Sequence, residues 1–488
     1  MLVLTGKDEL THLYESRHID GMKKRYGFSR LMDYLHREYD RRVFTIWGLR
    51  YTGKTTLMVQ AAKELGEPEQ TCWITCEKGD TVDDLKQVLN THDTCRYFFL
   101  SEATLVEDFM RRCSILADKY SEISNKRIVL TGQNPLLIGF ALGHALFDRS
   151  HVLSTTYMPF SEYCHLFGHK KTIDEYIESG GVLMDGKALA TKAQEYLDRE
   201  IAENVQSGIK EDIADRRFPP TNPWYSGNNI RESIKLKVKC DTYLFLADIV
   251  NQLLDQHAIL LPGSKEPVRE IRAALAVDIP DYKNIADGIS IKVEEYLGKI
   301  DVYPRTGYHL ETDPYFTQPG LQYHLVKREL LRLAASPLLR AFSRPMQKEL
   351  ARQLDAALKE RIMRNILRLE LRRNPKVEEL FDVRQYSGPS GRTDKPIFDF
   401  VLLDKESYDV MLLSVMYASV DGIPPLARNL MDPNACESLE KVWGVHIIGK
   451  AILYPGQTYL GENGVFFCNI ETFLEDPVSF LADLANAM

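Results

Sequence analysis

RVFTIWGLRYTGKTTLMVQ, from Arg42 to Gln60, is an apolar run that breaks into glycine-bearing sequence and resumes with helical spacing. Gly48, Gly53, Lys54 and Thr55 fill every fixed position of the pattern G-x-x-x-x-G-K-[ST]. Glycine at these places lets the backbone turn tightly enough for successive N–H groups to face one polyphosphate at the start of a helix. The stretch reads as a phosphate-binding loop, with Gly48, Leu49, Arg50, Tyr51, Thr52, Gly53, Lys54, Thr55 and Thr56 as the cradle for ATP. Lys54 is expected to reach the β- and γ-phosphates, and Thr55 to offer its hydroxyl to Mg²⁺. Val43 to Trp47 is the buried parallel strand that aims the loop. An ordinary glycine-containing strand-to-helix turn is the plainer alternative.

Working outward, Thr71 to Cys76 reads as a second buried strand, and Thr81 to Leu89 as a helix opened by Thr81 with Asp83 and Asp84 in its first turn. Arg96 to Leu100, RYFFL, is followed by Ser101 and Glu102. A P-loop ATPase places an acidic pair at the end of such a strand, one member for the Mg²⁺ shell and the other for the attacking water. Here the first position is Ser101, a hydroxyl without charge, so weaker Mg²⁺ binding and weaker hydrolysis are expected. Glu102 is the candidate base, with helix capping or a solvated carboxylate as its structural alternative. KRIVLT, Lys126 to Thr131, is a further strand closed by Gly132-Gln133-Asn134. Asn134 or Gln133 is placed to sense the γ-phosphate, turn chemistry at Asn-Pro being the alternative. Arg149 is a candidate phosphate contact in cis or across a subunit interface, or a partner of Asp148.

The order strand, P-loop, strand, acidic strand, amide-tipped strand and arginine resembles an AAA+ type ATPase. GLRYTGKTTLM, FFLSEATLVEDF, LTGQN and FDRSHVLSTTYMPFSEY resemble, more narrowly, prokaryotic AAA ATPases that carry a C-terminal restriction-endonuclease-like domain. The family's usual acidic pair is Asp-Glu, so Ser101 is a departure.

The expected fold class is α/β: a P-loop NTPase domain at 1–165, a helical and winged-helix-like domain at 166–345, and a restriction-endonuclease-like domain at 346–488. Asp241 to Leu261 and Arg269 to Ile279 read as amphipathic helices, and the aromatic-rich Tyr308 to Tyr323 as a hairpin. PYFTQPGLQYHL within it resembles the hairpin region of the family's middle domain. A winged helix serves DNA or protein contacts. Leu325 to Arg373 is basic along one side, reading as a solvated face or a phosphate-backbone surface. In the C-terminal region the resemblance implies a metal site built from a helix Glu, a strand Asp and Glu-x-Lys. Glu370 and Asp399 match the first two, but Ser414-Val415-Met416 stands where Glu-x-Lys is required. Loss of a carboxylate and an ammonium together predicts no ordinary nuclease chemistry.

The bulk numbers bound these readings. The chain has 488 residues, too many for one core, with a net charge of -8, so a nucleic-acid role needs a local basic face. No apolar run is long enough to cross a membrane, and MLVLTGKDEL lacks a signal-peptide pattern, so the expected location is cytoplasmic. Eight cysteines without a C-x-x-C pair indicate neither a zinc ribbon nor a redox dithiol. Cys164, His165 and His169 lie close together, but without a further ligand at metal spacing. The chain reads as an ATP-binding switch with weak or conditional hydrolysis; a nucleotide-regulated DNA- or protein-binding module is the alternative. Oligomeric state is not legible.

Overall fold

The computed structural model describes residues 1–168, 171–184, 186–215, 229–255, 287–304, 315–335, 340, 343–373, 377–379, 398–405, 407–417, 425–461 and 464–486. Its N-terminal part is built on β1 (Leu2–Thr5), β2 (Val43–Trp47), β3 (Thr71–Thr75), β4 (Tyr97–Ser101), β5 (Arg127–Thr131) and β6 (Ser150–Ser154). They form one sheet in the order β1-β3-β4-β5-β2-β6, parallel except for the first pairing. Helices cover both faces, so β2, β4 and β5 are buried throughout and read as nearly continuous apolar runs. Alternate side chains divide between two cores: Val43, Phe98, Ile128 and Leu130 enter one, Phe44, Phe99 and Val129 the other. The helix Val82–Thr91 begins at Thr81 with a capping box closed by Asp84.

Because the sheet is parallel, the carboxyl ends of β2, β4, β5 and β6 share one edge. Loops that follow those ends meet there, the usual place for a ligand in an open α/β sheet. β5 lies between the P-loop strand β2 and the acidic strand β4.

The described residues of 166–345 are helical and include no strand. The hairpin expected within 308–323 is corrected over its described part: Pro319–Ala334 is a helix. Proline at the first helical turn presets φ and loses no hydrogen bond, while Leu321, Leu325 and Val326 recur on a buried face. Residues 305–314 and the helix expected at Arg269 to Ile279 lie outside the described residues.

The C-terminal part carries a second sheet of β7 (Val377–Glu379), β8 (Phe400–Asp404), β9 (Val410–Val415), β10 (Ile447–Tyr454), β11 (Tyr459–Leu460) and β12 (Phe466–Asn469). Its order is β11-β12-β10-β9-β8-β7, with β9, β10 and β12 parallel. The long helix Arg344–Leu371 shares a core with this sheet, and that core also takes Phe160, Tyr176, Phe245 and Tyr323. The packing therefore crosses the expected boundaries at 165 and 345. Residues 380–397, which include the Gly- and Ser-bearing stretch SGPSGRTD, lie outside the described residues.

Candidate nucleotide site

The loop after β2 is held by its own sequence. Gly48 has φ +147°, and a Cβ there would lie 2.6 Å from Thr155 Oγ1 and 3.0 Å from the Thr156 nitrogen, so the position requires glycine. Thr52 Oγ1 donates to the Leu49 carbonyl at 2.8 Å, and the Leu49 N–H donates to Thr156 Oγ1 at 3.2 Å. Gly53, at φ +84°, precedes the helix Lys54–Leu65. Thr55 and Thr56 occupy the first turn of that helix, half-buried.

Lys54 is buried, and its ammonium donates to the Gly48 and Leu49 carbonyls at 2.8 Å each. Burial pulls its pKa down to about 8, opposed by the nearby charge of Glu102. Ser101 closes β4, 4% exposed. Glu102 follows in the left-handed region at φ 60°, a conformation that costs energy for a residue with a Cβ. Burial raises the Glu102 pKa, against the opposing charges of Lys54 and Arg50 and a hydrogen bond from Gln133. Its Oε2 is buried and has no hydrogen-bond partner among the described residues. Buried polar atoms are nearly always satisfied, so an orphaned oxygen on a carboxylate that feels the Lys54 charge marks a place for a further polar group.

Of the two amides proposed as sensors, Gln133 lies close enough to Glu102 to lower its pKa, whereas the side chain of Asn134 is taken up elsewhere. Asn134 Oδ1 accepts from the Leu136 and Leu137 N–H groups as a helix cap. Its Nδ2 donates to the Asn204 carbonyl and Ser207 Oγ, which uses up the side chain. A signal missed in the sequence is Thr131 at the end of β5, whose buried hydroxyl lacks a partner among the described residues. Arg149 is corrected for action in cis. It precedes β6 beside Val43, at the end of β2 opposite the P-loop, and donates to Asp118 Oδ1 at 2.6 Å. Asp148 pairs with Arg42 instead.

Residues outside the motif complete the surroundings. Arg50 pairs with Glu200 at 2.8 Å, Tyr196 donates to the Arg50 carbonyl, and the Leu183 N–H donates to the Tyr51 carbonyl at 2.7 Å. The helical region thus lies directly on the P-loop. Arg25 and Glu162 form a buried pair beside Thr52.

Residues 40–164 match the AAA domain family. The matched segment holds β2 to β6 and every residue of the P-loop pattern. No curated protein matches the sequence. Solved structures similar to this chain include Cdc6p from Pyrobaculum aerophilum, at 14% identity over 68% of this chain and 100% of that one, with a TM-score of 0.25. DnaA from Aquifex aeolicus, solved with AMPPCP, is 13% identical over 61% of this chain and 87% of that one, with a TM-score of 0.24.

The C-terminal acidic positions fall apart from one another. Glu370 accepts from the Tyr157 hydroxyl at 2.7 Å and from the Phe160 N–H, joining the long helix to the segment after β6. Asp399 instead meets Arg364, whose Nε lies 3.1 Å from Oδ1, and accepts from Ser414 Oγ and the Val415 N–H. The helix carboxylate that shares Arg364 is Glu360, at 2.8 Å. Ten residues of helix separate Glu360 from Glu370, about 15 Å of axis. The basic stretch after Leu325 is likewise divided: Lys359 pairs with Asp174, Arg364 is buried, and Arg368 lies over Phe400.

Proposed function

We propose that this chain is an ATPase of the AAA class that binds Mg²⁺ and ATP at Gly48 to Thr56, with weak or conditional hydrolysis. The observation that carries the reading is the buried Glu102 oxygen, without a hydrogen-bond partner among the described residues, on a carboxylate that feels the charge of the P-loop lysine. Backbone N–H groups from Leu49 to Gly53 would receive the phosphates, and Lys54 would exchange its carbonyl partners for phosphate oxygens. Thr55 would hold Mg²⁺, with Ser101 on its water shell; the ion, when bound, neutralises charge on the β- and γ-phosphates. Glu102 would accept a proton from water, and a carboxylate whose pKa is raised by burial is better matched to that task near neutral pH.

The contacts from Leu183, Tyr196 and Glu200 to the loop offer a route by which occupancy alters the helical region. The C-terminal part is read as a restriction-endonuclease-like fold kept for structure or binding, because Arg364 stands between the carboxylates of Glu360 and Asp399. The second reading is a nucleotide-regulated DNA- or protein-binding module without turnover, and Ser101 in place of a carboxylate favours it.

The test is ATP binding and phosphate release by the full chain beside Lys54→Ala. Binding by the wild type and its loss in Lys54→Ala are expected; undiminished binding by the variant overturns the assignment. Phosphate release no higher than that of Lys54→Ala decides for the second reading.

A further inference from the structure

We infer that Arg25 and Glu162 are positioning residues of the nucleotide site, fixing the orientation of the peptide between Thr52 and Gly53. The inference rests on the proposed ATP binding. Arg25 lies in the loop before the helix Phe28–His36, outside the P-loop motif, and is buried. Its Nη1 donates to the Thr52 carbonyl at 2.7 Å and the Thr155 carbonyl at 2.8 Å, and Nη2 donates to the Tyr157 carbonyl at 3.3 Å. On the other side, Nε and Nη2 donate to the two carboxylate oxygens of Glu162 at 2.9 and 2.8 Å. Glu162 Oε1 also accepts from the Tyr26 N–H at 2.8 Å.

A trans peptide is planar, so its C=O and N–H point in opposite directions. With the Thr52 carbonyl turned to Arg25, the Gly53 N–H is turned away from it, as an anion nest made of successive N–H groups requires. A glycine in the left-handed region resists peptide rotation less than any other residue, so the orientation needs an external hold. The planar guanidinium supplies it: one rigid fork reaches three carbonyls and a bidentate carboxylate together. Glu162 neutralises that charge and fixes its plane. The same fork ties the P-loop to the segment after β6, which lines Gly48 through Thr155 and Thr156.

The test compares wild type, Lys54→Ala, Arg25→Gln, Glu162→Gln and the double variant Arg25→Gln/Glu162→Gln. Melting temperature without nucleotide and affinity for fluorescent ATP and ADP analogues are measured on each full chain. Arg25→Gln should weaken ATP and ADP alike by at least about tenfold, or about 1.4 kcal/mol. The double variant leaves no charge buried alone, so it should regain melting temperature relative to Arg25→Gln while its affinity stays low. A purely structural pair predicts the reverse, with affinity recovering alongside stability, and that result overturns the inference. So does wild-type affinity in Arg25→Gln, or failure of both Arg25→Gln variants to fold. A wild type that binds neither nucleotide removes the ATP-binding reading and this inference with it. Binding that is lost in Lys54→Ala but kept in Arg25→Gln removes the inference alone.

Discussion

Lys54 shows how burial sets the chemistry of one residue. Its pKa of about 8 lies below the ordinary 10.5, so between these values the unfolded chain binds more protons than the folded one. Stability without nucleotide therefore contains a term that rises with pH across that window. Phosphate binding needs the ammonium, so ATP affinity should fall as pH rises above about 8, and a titration series from about pH 7 to about pH 9.5 reads the loss directly. A flat profile would show that Lys54 stays charged throughout. Ser101 is the second decisive residue. It closes β4 beside Glu102 without bringing charge, and Ser101→Asp should raise Mg²⁺-dependent phosphate release at least about tenfold. Turnover that stays at the Lys54→Ala background would favour the binding module. Both residues are legible in the sequence: the P-loop pattern fixes Lys54, and Ser101 follows an apolar strand where an acidic pair is expected. Arg25, Glu162 and Thr131 are not: an isolated Arg, Glu or Thr carries no spacing, and the fold alone brings them beside the loop.

At the scale of elements, strands and caps follow the sequence closely. β2, β4 and β5 are continuous apolar runs because helices bury both faces, and Thr81 opens its helix because its hydroxyl accepts from the Asp84 N–H. The long helix Arg344–Leu371 follows it less well. Its charged residues suggest a solvated face, yet Lys359, Arg364, Arg368 and Glu370 are buried among the middle helices and the second sheet. Opposite charges supplied by other elements, Asp174 and Asp399 among them, make that burial tolerable. Arg364→Leu removes the only side chain seen to bridge Glu360 and Asp399 among the described residues, leaving two carboxylates buried together. It should cost about 3 to 5 kcal/mol in urea denaturation of the full chain. A loss below about 1 kcal/mol, the scale of an exposed pair, would show that the cluster is solvated.

Over the whole molecule, the cores are continuous across the regions that composition separates. Glu370 bonds to Tyr157 and Phe160, and Leu49 and Leu136 of the AAA domain enter the core of the helical region. With Arg364 between the carboxylates and Ser414 bonded to Asp399, Mg²⁺ or Mn²⁺ should elicit no DNA cleavage by the full chain. Cleavage that disappears in Asp399→Ala would reverse this reading. No helix among the described residues is long and apolar enough to cross a membrane. The sequence by itself determined the P-loop, the buried parallel strands around it and the acidic position at Glu102, because each follows from local pattern: glycine spacing, apolar runs and strand-to-loop succession. Only the tertiary structure decided that Asn134 is a helix cap, that Arg149 stands at the wrong end of its strand, that Glu360 rather than Glu370 faces Asp399, and that Arg25 holds the P-loop carbonyl. The cap of Asn134 is itself local, made with the N–H groups of Leu136 and Leu137, but its amide nitrogen is spent on Asn204 and Ser207 of a distant helix. The rest share that physical reason: a side chain's long-range partners are set by which elements pack together, as when Arg25 meets the Thr155 carbonyl, and neighbours in sequence do not carry that information.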